Sequence, residues 1–100
     1  MNDKFTSMIG FAKRAGKIVY GYDNLLGARR VKLYAVSTTA SEKLQRNMQM
    51  LADKFSRPLV TAELLETIVG NNCKALGITD ANMAKAMLDC AAGNADRYRI

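Results

Sequence analysis

The stretch "GKIVYGYDNLLGARRVKLYAVS" (Gly16–Ser37) decides the fold class. Ile18-Val19-Tyr20 is β-branched and aromatic and reads as a short strand. Gly21 ends it. Asp23, or the residue beside it, is placed to cap a short helix carrying Leu25, Leu26 and Ala28. Gly27 within that helix weakens it by roughly 1 kcal/mol relative to alanine. Val31–Ser37 then reads as a buried strand. Strand, turn, helix and strand follow each other within 22 residues, which is the rhythm of an α/β chain.

The same rhythm extends outward in both directions. Upstream, Phe5, Met8, Ile9 and Ala12 fall at helical spacing and predict a helix over Asp3–Ala15. Asn2 or Asp3 can cap its start, and Lys13 and Arg14 fall in its last turn, where positive charge suits the helix dipole. Gly16 is placed to terminate it. Downstream, Thr39 and Ser41 are N-cap candidates for a helix whose apolar stripe is Leu44, Met48, Leu51, Ala52 and Phe55. Pro58 stops that helix, and "PLVT" reads as a third strand. Thr61 is then expected to cap a fourth helix, with Glu63 in its first turn and Gly70 at its end. Lys74–Asp80 reads as a fourth strand, and Asp80 caps a last helix containing Met83, Ala84 and Met87. The polar tail "ADRYRI" (95–100) is expected to be loose, with the loose segment beginning at about residue 93. This predicts one domain spanning residues 1–100, in the order αβαβαβαβα, with a sheet covered by helices on both faces.

Composition narrows the function. The chain has 100 residues and a formal charge of +6. Residues 1–57 carry eleven basic against four acidic side chains, and residues 58–100 carry four against five. All the positive excess therefore lies in the first part, as expected of a polyanion binder. Cys73 and Cys90 do not form a zinc pattern or a disulfide framework, and read as reduced thiols. The N-terminal "MNDKFTSMIGFAKRAGK" lacks the apolar run of a secretory signal, and nothing approaches a membrane span, so the cytoplasm is the expected location.

The chain contains no histidine, which removes the commonest general base and metal ligand. It also has no GxGxxG, P-loop or GxSxG. Cys73 precedes Lys74, but an activated thiol there is a remote prospect. A non-enzymatic protein is expected, with no cofactor and no metal. Binding remains. Lys13, Arg14 and Lys17 cluster before the first strand, and Arg29, Arg30 and Lys32 follow the second helix. Between the clusters lies Gly21-Tyr22-Asp23-Asn24. Free N–H groups at the helix start suit phosphate, Asp23 and Asn24 can pair with base edges, and Tyr22 can stack on a base. The plain alternative is that Asp23 caps, Asn24 is solvated and Tyr22 packs.

"IGFAKRAGKIVYG" (Ile9–Gly21) closely resembles the opening of the ribosomal protein L-seven-Ae / L-thirty-e superfamily, particularly its small bacterial YlxQ-like members. "VKLYAVSTTAS", "PLV" and "KALGITDANMAKAM" fall where that superfamily has its later strands and last helix, so the resemblance covers about residues 4–92. It implies a three-layer α/β/α sandwich with a four-stranded mixed sheet. It also implies binding to kink-turn or other structured RNA, as a ribosomal or ribosome-associated protein. The contact surfaces it implies are Gly21, Tyr22, Asp23 and Asn24, together with the loop Gly70, Asn71, Asn72 and Cys73. Kink-turn binders usually carry Asn then Glu where this chain has Asp23 then Asn24, and a lysine where it has Gly27. In this reading Lys13, Arg14, Lys17, Arg29 and Arg30 contact phosphates. The alternative on the same fold is a protein-interaction module that presents an apolar patch around Tyr34 or the methionines Met83 and Met87.

Overall fold

Leu33–Ser37 forms a strand, β2, in which every residue is buried, because both of its faces are covered. In the computed structural model, which describes residues 4–63, 65–70, 72–94 and 98–99, this strand lies at the centre of a five-stranded mixed sheet. The preceding elements are α1 (Lys4–Arg14), β1 (Ile18–Tyr20) and α2 (Tyr22–Gly27). After β2 come α3 (Glu42–Lys54), β3 (Leu59–Ala62), α4 (Leu65–Val69), β4 (Ala75–Ile78), α5 (Ala81–Ala92) and β5 (Tyr98–Arg99).

The strand order is β1-β4-β2-β3-β5. Only β2 and β3 run parallel; the other neighbours are antiparallel. Period-2 alternation divides the side chains between two cores. Leu33 and Ala35 join Phe5 and Ile9 of α1, Leu65 of α4 and Met87 of α5. Tyr34 and Val36 join Leu25 of α2 and Met48 and Leu51 of α3. The helices thus pack on both faces of the sheet.

Local signals place most element ends. Ser41 caps α3 by accepting the Leu44 N–H at 3.1 Å, and Asp80 caps α5 by accepting the Met83 N–H at 2.9 Å. Gly16 takes the positive φ foreseen for it at the end of α1. The proposed caps Asn2 and Asp3 lie outside the described residues.

Two expectations are corrected. The sheet has five strands rather than four, because Tyr98–Arg99 pairs antiparallel with β3 instead of hanging loose. Tyr98 is buried, with its ring centroid 4.5 Å from that of Phe5. One aromatic residue in a polar tail thereby reaches the main core, and the gain in apolar burial offsets the cost of ordering the chain. Thr61 does not cap a helix. It lies within β3, opposite Val36 on one side and Arg99 on the other, and α4 begins later, with Glu66 rather than Glu63 in its first turn. Pairing on both sides overrides the capping tendency of threonine.

Gly77 of β4 determines how closely α2 approaches the sheet. A Cβ at this position would lie 2.6 Å from Leu25 Cδ2 and 2.7 Å from Val31 Cγ1. Leu25 is fully buried and Val31 is stiff at χ1, so neither has room to yield. Gly77→Ala is expected to lower stability by about 1–3 kcal/mol through overpacking. Tyr98→Ala is expected to cost roughly 3–5 kcal/mol through the cavity left against Phe5. Urea unfolding of each variant measures both, and an unchanged midpoint for Tyr98→Ala would mean that the C-terminal strand contributes nothing.

Candidate nucleic-acid interface

The strand register gives the sheet two ends. At one end β1, β2 and β3 finish, at Tyr20, Ser37 and Ala62, and β4 begins at Ala75. At the other end β1, β2 and β3 begin and β4 finishes at Ile78. The candidate residues are divided between these ends.

The Gly21 turn lies at the first end. Gly21 has φ 84° and ψ 147°, a combination open essentially to glycine alone, and it lets the chain leave β1 and start α2 at once. Its N–H donates to the carbonyl of Ala75 at 2.9 Å, which fixes the turn against the start of β4. The loop Gly70–Cys73 leads into that start, so the two segments implicated by the resemblance lie side by side. Gly70 also takes a positive φ, of 86°, which ends α4. Asn71 lies outside the described residues, and Asn72 is exposed with φ 55°.

The side chains of the turn play different parts. Asp23 is exposed, and no side chain caps α2, so the capping role foreseen for it is not realised. Among the described residues it has no hydrogen-bond or ion-pair partner, which leaves both carboxylate oxygens open to an outside donor. The Asn24 amide donates to the Tyr20 carbonyl at 2.8 Å, leaving its own carbonyl oxygen and one N–H directed elsewhere. Tyr22 is half-buried against the α2–α3 core, so its ring is mostly engaged in packing. Cys73 is likewise half-buried and its thiol donates to the Ala75 carbonyl at 3.0 Å, a structural role.

A second polar group at this end was not anticipated. Glu66 of α4 accepts the Ser37 hydroxyl at 2.5 Å and the Thr39 hydroxyl on its other oxygen, and the Thr39 N–H donates to Ser37 Oγ at 3.2 Å. The Ser37 N–H donates to the Lys74 carbonyl, so this knot ties β2, α4 and the β4 loop together. The hydroxyl bonds from Ser37 and Thr39 hold the Glu66 carboxyl below its ordinary range; burial pushes the other way, and its own N–H and the Lys74 charge add to the lowering. The alternation of β2 was the available signal, because it puts Ser37 on the face that α4 covers.

The basic residues largely collect elsewhere. Lys17 precedes β1, and its carbonyl accepts the Thr79 N–H at 3.0 Å. Arg29 and Arg30 lead into Lys32, whose N–H donates to the Ile78 carbonyl at 2.7 Å. These residues sit at the opposite end of the sheet from Gly21. Arg57 precedes β3 at that same end; burial raises the pKa of the neighbouring Tyr34 phenol, and the Arg57 charge opposes the rise. Lys13 and Arg14 stay on α1. The Lys13 ammonium donates to the Val69 carbonyl at 3.1 Å, capping α4 just before Gly70, and the Arg14 guanidinium lies 5.0 Å above the Phe11 ring.

No family model and no curated protein matches the chain. Among solved structures, a protein with unknown function from Bacillus halodurans C superposes with a TM-score of 0.81 over 89% of this chain and 97% of its own, at 19% identity. The two chains share a fold. No helix among the described residues is long and apolar enough to cross a membrane.

A depressed carboxylate contributes stability above its unfolded pKa and loses it as pH falls through the lower, folded value. Glu66→Gln is therefore expected to destabilise the protein at pH 7. The gap from the parent should close as the pH drops below the ordinary glutamate value of about 4.3. Thermal unfolding of both proteins from pH 7 to pH 2.5 measures this. A gap that does not change with pH would remove the carboxylate from the account.

Proposed function

We propose that the protein is a non-enzymatic RNA-binding domain that recognises structured, kink-turn-like RNA through the Gly21 turn, in association with the ribosome or another ribonucleoprotein. The observation that carries this reading is the placement of Asp23. It is an exposed carboxylate at a glycine-only turn, held against the start of β4, with no partner among the described residues. An acid with no structural task, on a rigid backbone, is suited to accept N–H groups from a base edge, and Asn24 offers a donor and an acceptor beside it. The resemblance of Ile9–Gly21 to the L-seven-Ae / L-thirty-e superfamily supports the same reading, as do the helices on both faces of a mixed sheet, in keeping with its three-layer sandwich. The reversed order of Asp23 and Asn24, and Gly27 in place of a lysine, favour a structured target that differs in detail from a standard kink-turn.

The alternative, a protein-interaction module, has weaker support. Tyr34 and Met87 are buried and Met83 packs against the core, so they do not make an exposed apolar patch.

Titration of a kink-turn RNA and a plain duplex of equal length tests the proposal. Tighter binding to the kinked RNA is expected. Asp23→Ala with Asn24→Ala should reduce that preference by the equivalent of roughly 1–3 kcal/mol, the worth of a good base-edge contact. Asp23→Ala alone should leave stability within about 0.5 kcal/mol of the parent, as for other surface changes. Equal weak binding of both RNAs would remove the specific reading, and no binding at low salt would remove RNA altogether.

A further inference from the structure

The end of the sheet opposite the Gly21 turn carries a concentration of positive charge. We propose that it is a second binding surface, one that grips the phosphate backbone of RNA independently of the turn. This rests on the RNA reading above only for the identity of the polyanion.

The fold builds the surface. Lys17 and Lys32 stand immediately before β1 and β2, and Arg57 stands two residues before β3. Neighbouring strands are about 5 Å apart, so the backbones of these residues follow one another along the end of the sheet. Lys32 and Arg57 also line a surface cleft of about 200 Å³ with Lys85 of α5, over an apolar floor that includes Pro58 and Leu88. All of the charged residues lining this cleft are cations. Arg29 and Arg30 extend the positive surface on the α2 side.

Among the described residues, none of these cations forms a salt bridge. The salt bridge formed among the described residues joins Glu42 to Arg46, at the start of α3 and so toward the other end of the sheet. Asp80, which follows β4 and caps α5, and Asp53, which accepts from Gln49, keep their charge, but the cations at this end outnumber them. Cations held in a row repel one another, and an extended polyanion removes that repulsion while releasing its own counterions.

An aromatic platform adjoins the row. Phe55, expected to lie on the buried stripe of α3, instead follows the last turn of that helix and is 39% exposed, with the Lys54 ammonium 5.5 Å above its ring. Leu26, Arg29 and Lys54 line the same open cleft. A base stacked on Phe55 would place its phosphates among these cations, the combination used for sequence-tolerant single-strand contacts. The Gly21 end, by contrast, mixes Asp23, Glu63 and Glu66 with Lys13 and Lys74. The two ends thus differ in kind: one mixed and shaped, the other predominantly basic.

The salt dependence of RNA binding provides the test, measured with the kink-turn RNA and the plain duplex. Arg30→Gln, Arg57→Gln and Lys85→Gln are combined in one variant, all three side chains being exposed. A control variant combines Lys4→Gln, Lys43→Gln and Arg99→Gln, which removes equal charge from exposed positions elsewhere. Loss of three phosphate contacts should reduce the log–log salt slope by roughly 2–3, at about 0.7–0.9 per phosphate. The control should change it by less than about 1, and the ratio of kink-turn to duplex affinity should survive in both variants. If the first variant keeps the parent slope while the kink-turn preference persists, the second surface is overturned and the turn reading stands. Equal slope loss in both variants would assign the effect to net charge and also overturn it. A slope loss confined to the first variant, with no preference for the kinked RNA in the parent, would keep the surface and remove the turn reading. Absence of RNA binding at low salt, with retention on phosphatidylserine vesicles that the first variant abolishes, would reassign the surface to membranes and overturn the proposal.

Discussion

The insertion of β4 between β1 and β2 is the constraint on which the rest of the structure depends. β4 is late in the chain but central in the sheet, and it is hydrogen-bonded on both sides. Its first residue receives the Gly21 N–H, and its last receives the Lys32 N–H. A central strand cannot leave its backbone groups unpaired without a desolvation cost of order 1–3 kcal/mol each, so these partners are held firmly. The absence of a side chain at Gly77 completes the arrangement, because it allows Leu25 and Val31 to settle directly on the strand. The position of the Gly21 turn is therefore a consequence of β4 rather than of the local sequence around the turn.

The same constraint separates charge. β1 runs from one end of the sheet to the other, so the residues just before it and just after it fall at opposite ends. Lys17 and Gly21, four positions apart in sequence, thereby belong to different surfaces. α2 spans the same distance, carrying the chain from Gly21 to Arg29 and Arg30. A short chain thus acquires one end shaped by a constrained turn and another rich in cations that form no salt bridge among the described residues.

The polar knot of Ser37, Thr39 and Glu66 shows how the shaped end is kept rigid. Ser37 is fully buried, and its hydroxyl needs a partner in a region otherwise filled with apolar side chains. Glu66 supplies it from α4 while also binding Thr39, so strand, helix and loop are fastened at one point. Lys13 adds a further tie from α1 through the Val69 carbonyl. A basic side chain that reads in sequence as a phosphate contact here donates to a helix end while remaining exposed.

Sequence by itself determined the alternation of helices and strands, the caps Ser41 and Asp80, the glycine turns at Gly16, Gly21 and Gly70, and most of the buried stripe of α3. These features are legible because they rest on interactions within a few residues: hydrophobic periodicity, side-chain caps and backbone freedom. Only the tertiary structure decided that Thr61 extends a strand, that Tyr98 brings the tail onto the β3 edge, and that Phe55 lies outside the core. Each depends on a partner distant in the chain, Val36 and Arg99 for Thr61 and Phe5 for Tyr98, or on where a helix happens to end. The same holds for the candidate sites. Asp23 and Asn24 could be singled out from the turn that carries them. The joining of Lys32, Arg57 and Lys85 around one cleft could not, since strand order, a property of the whole sheet, is what brings them together.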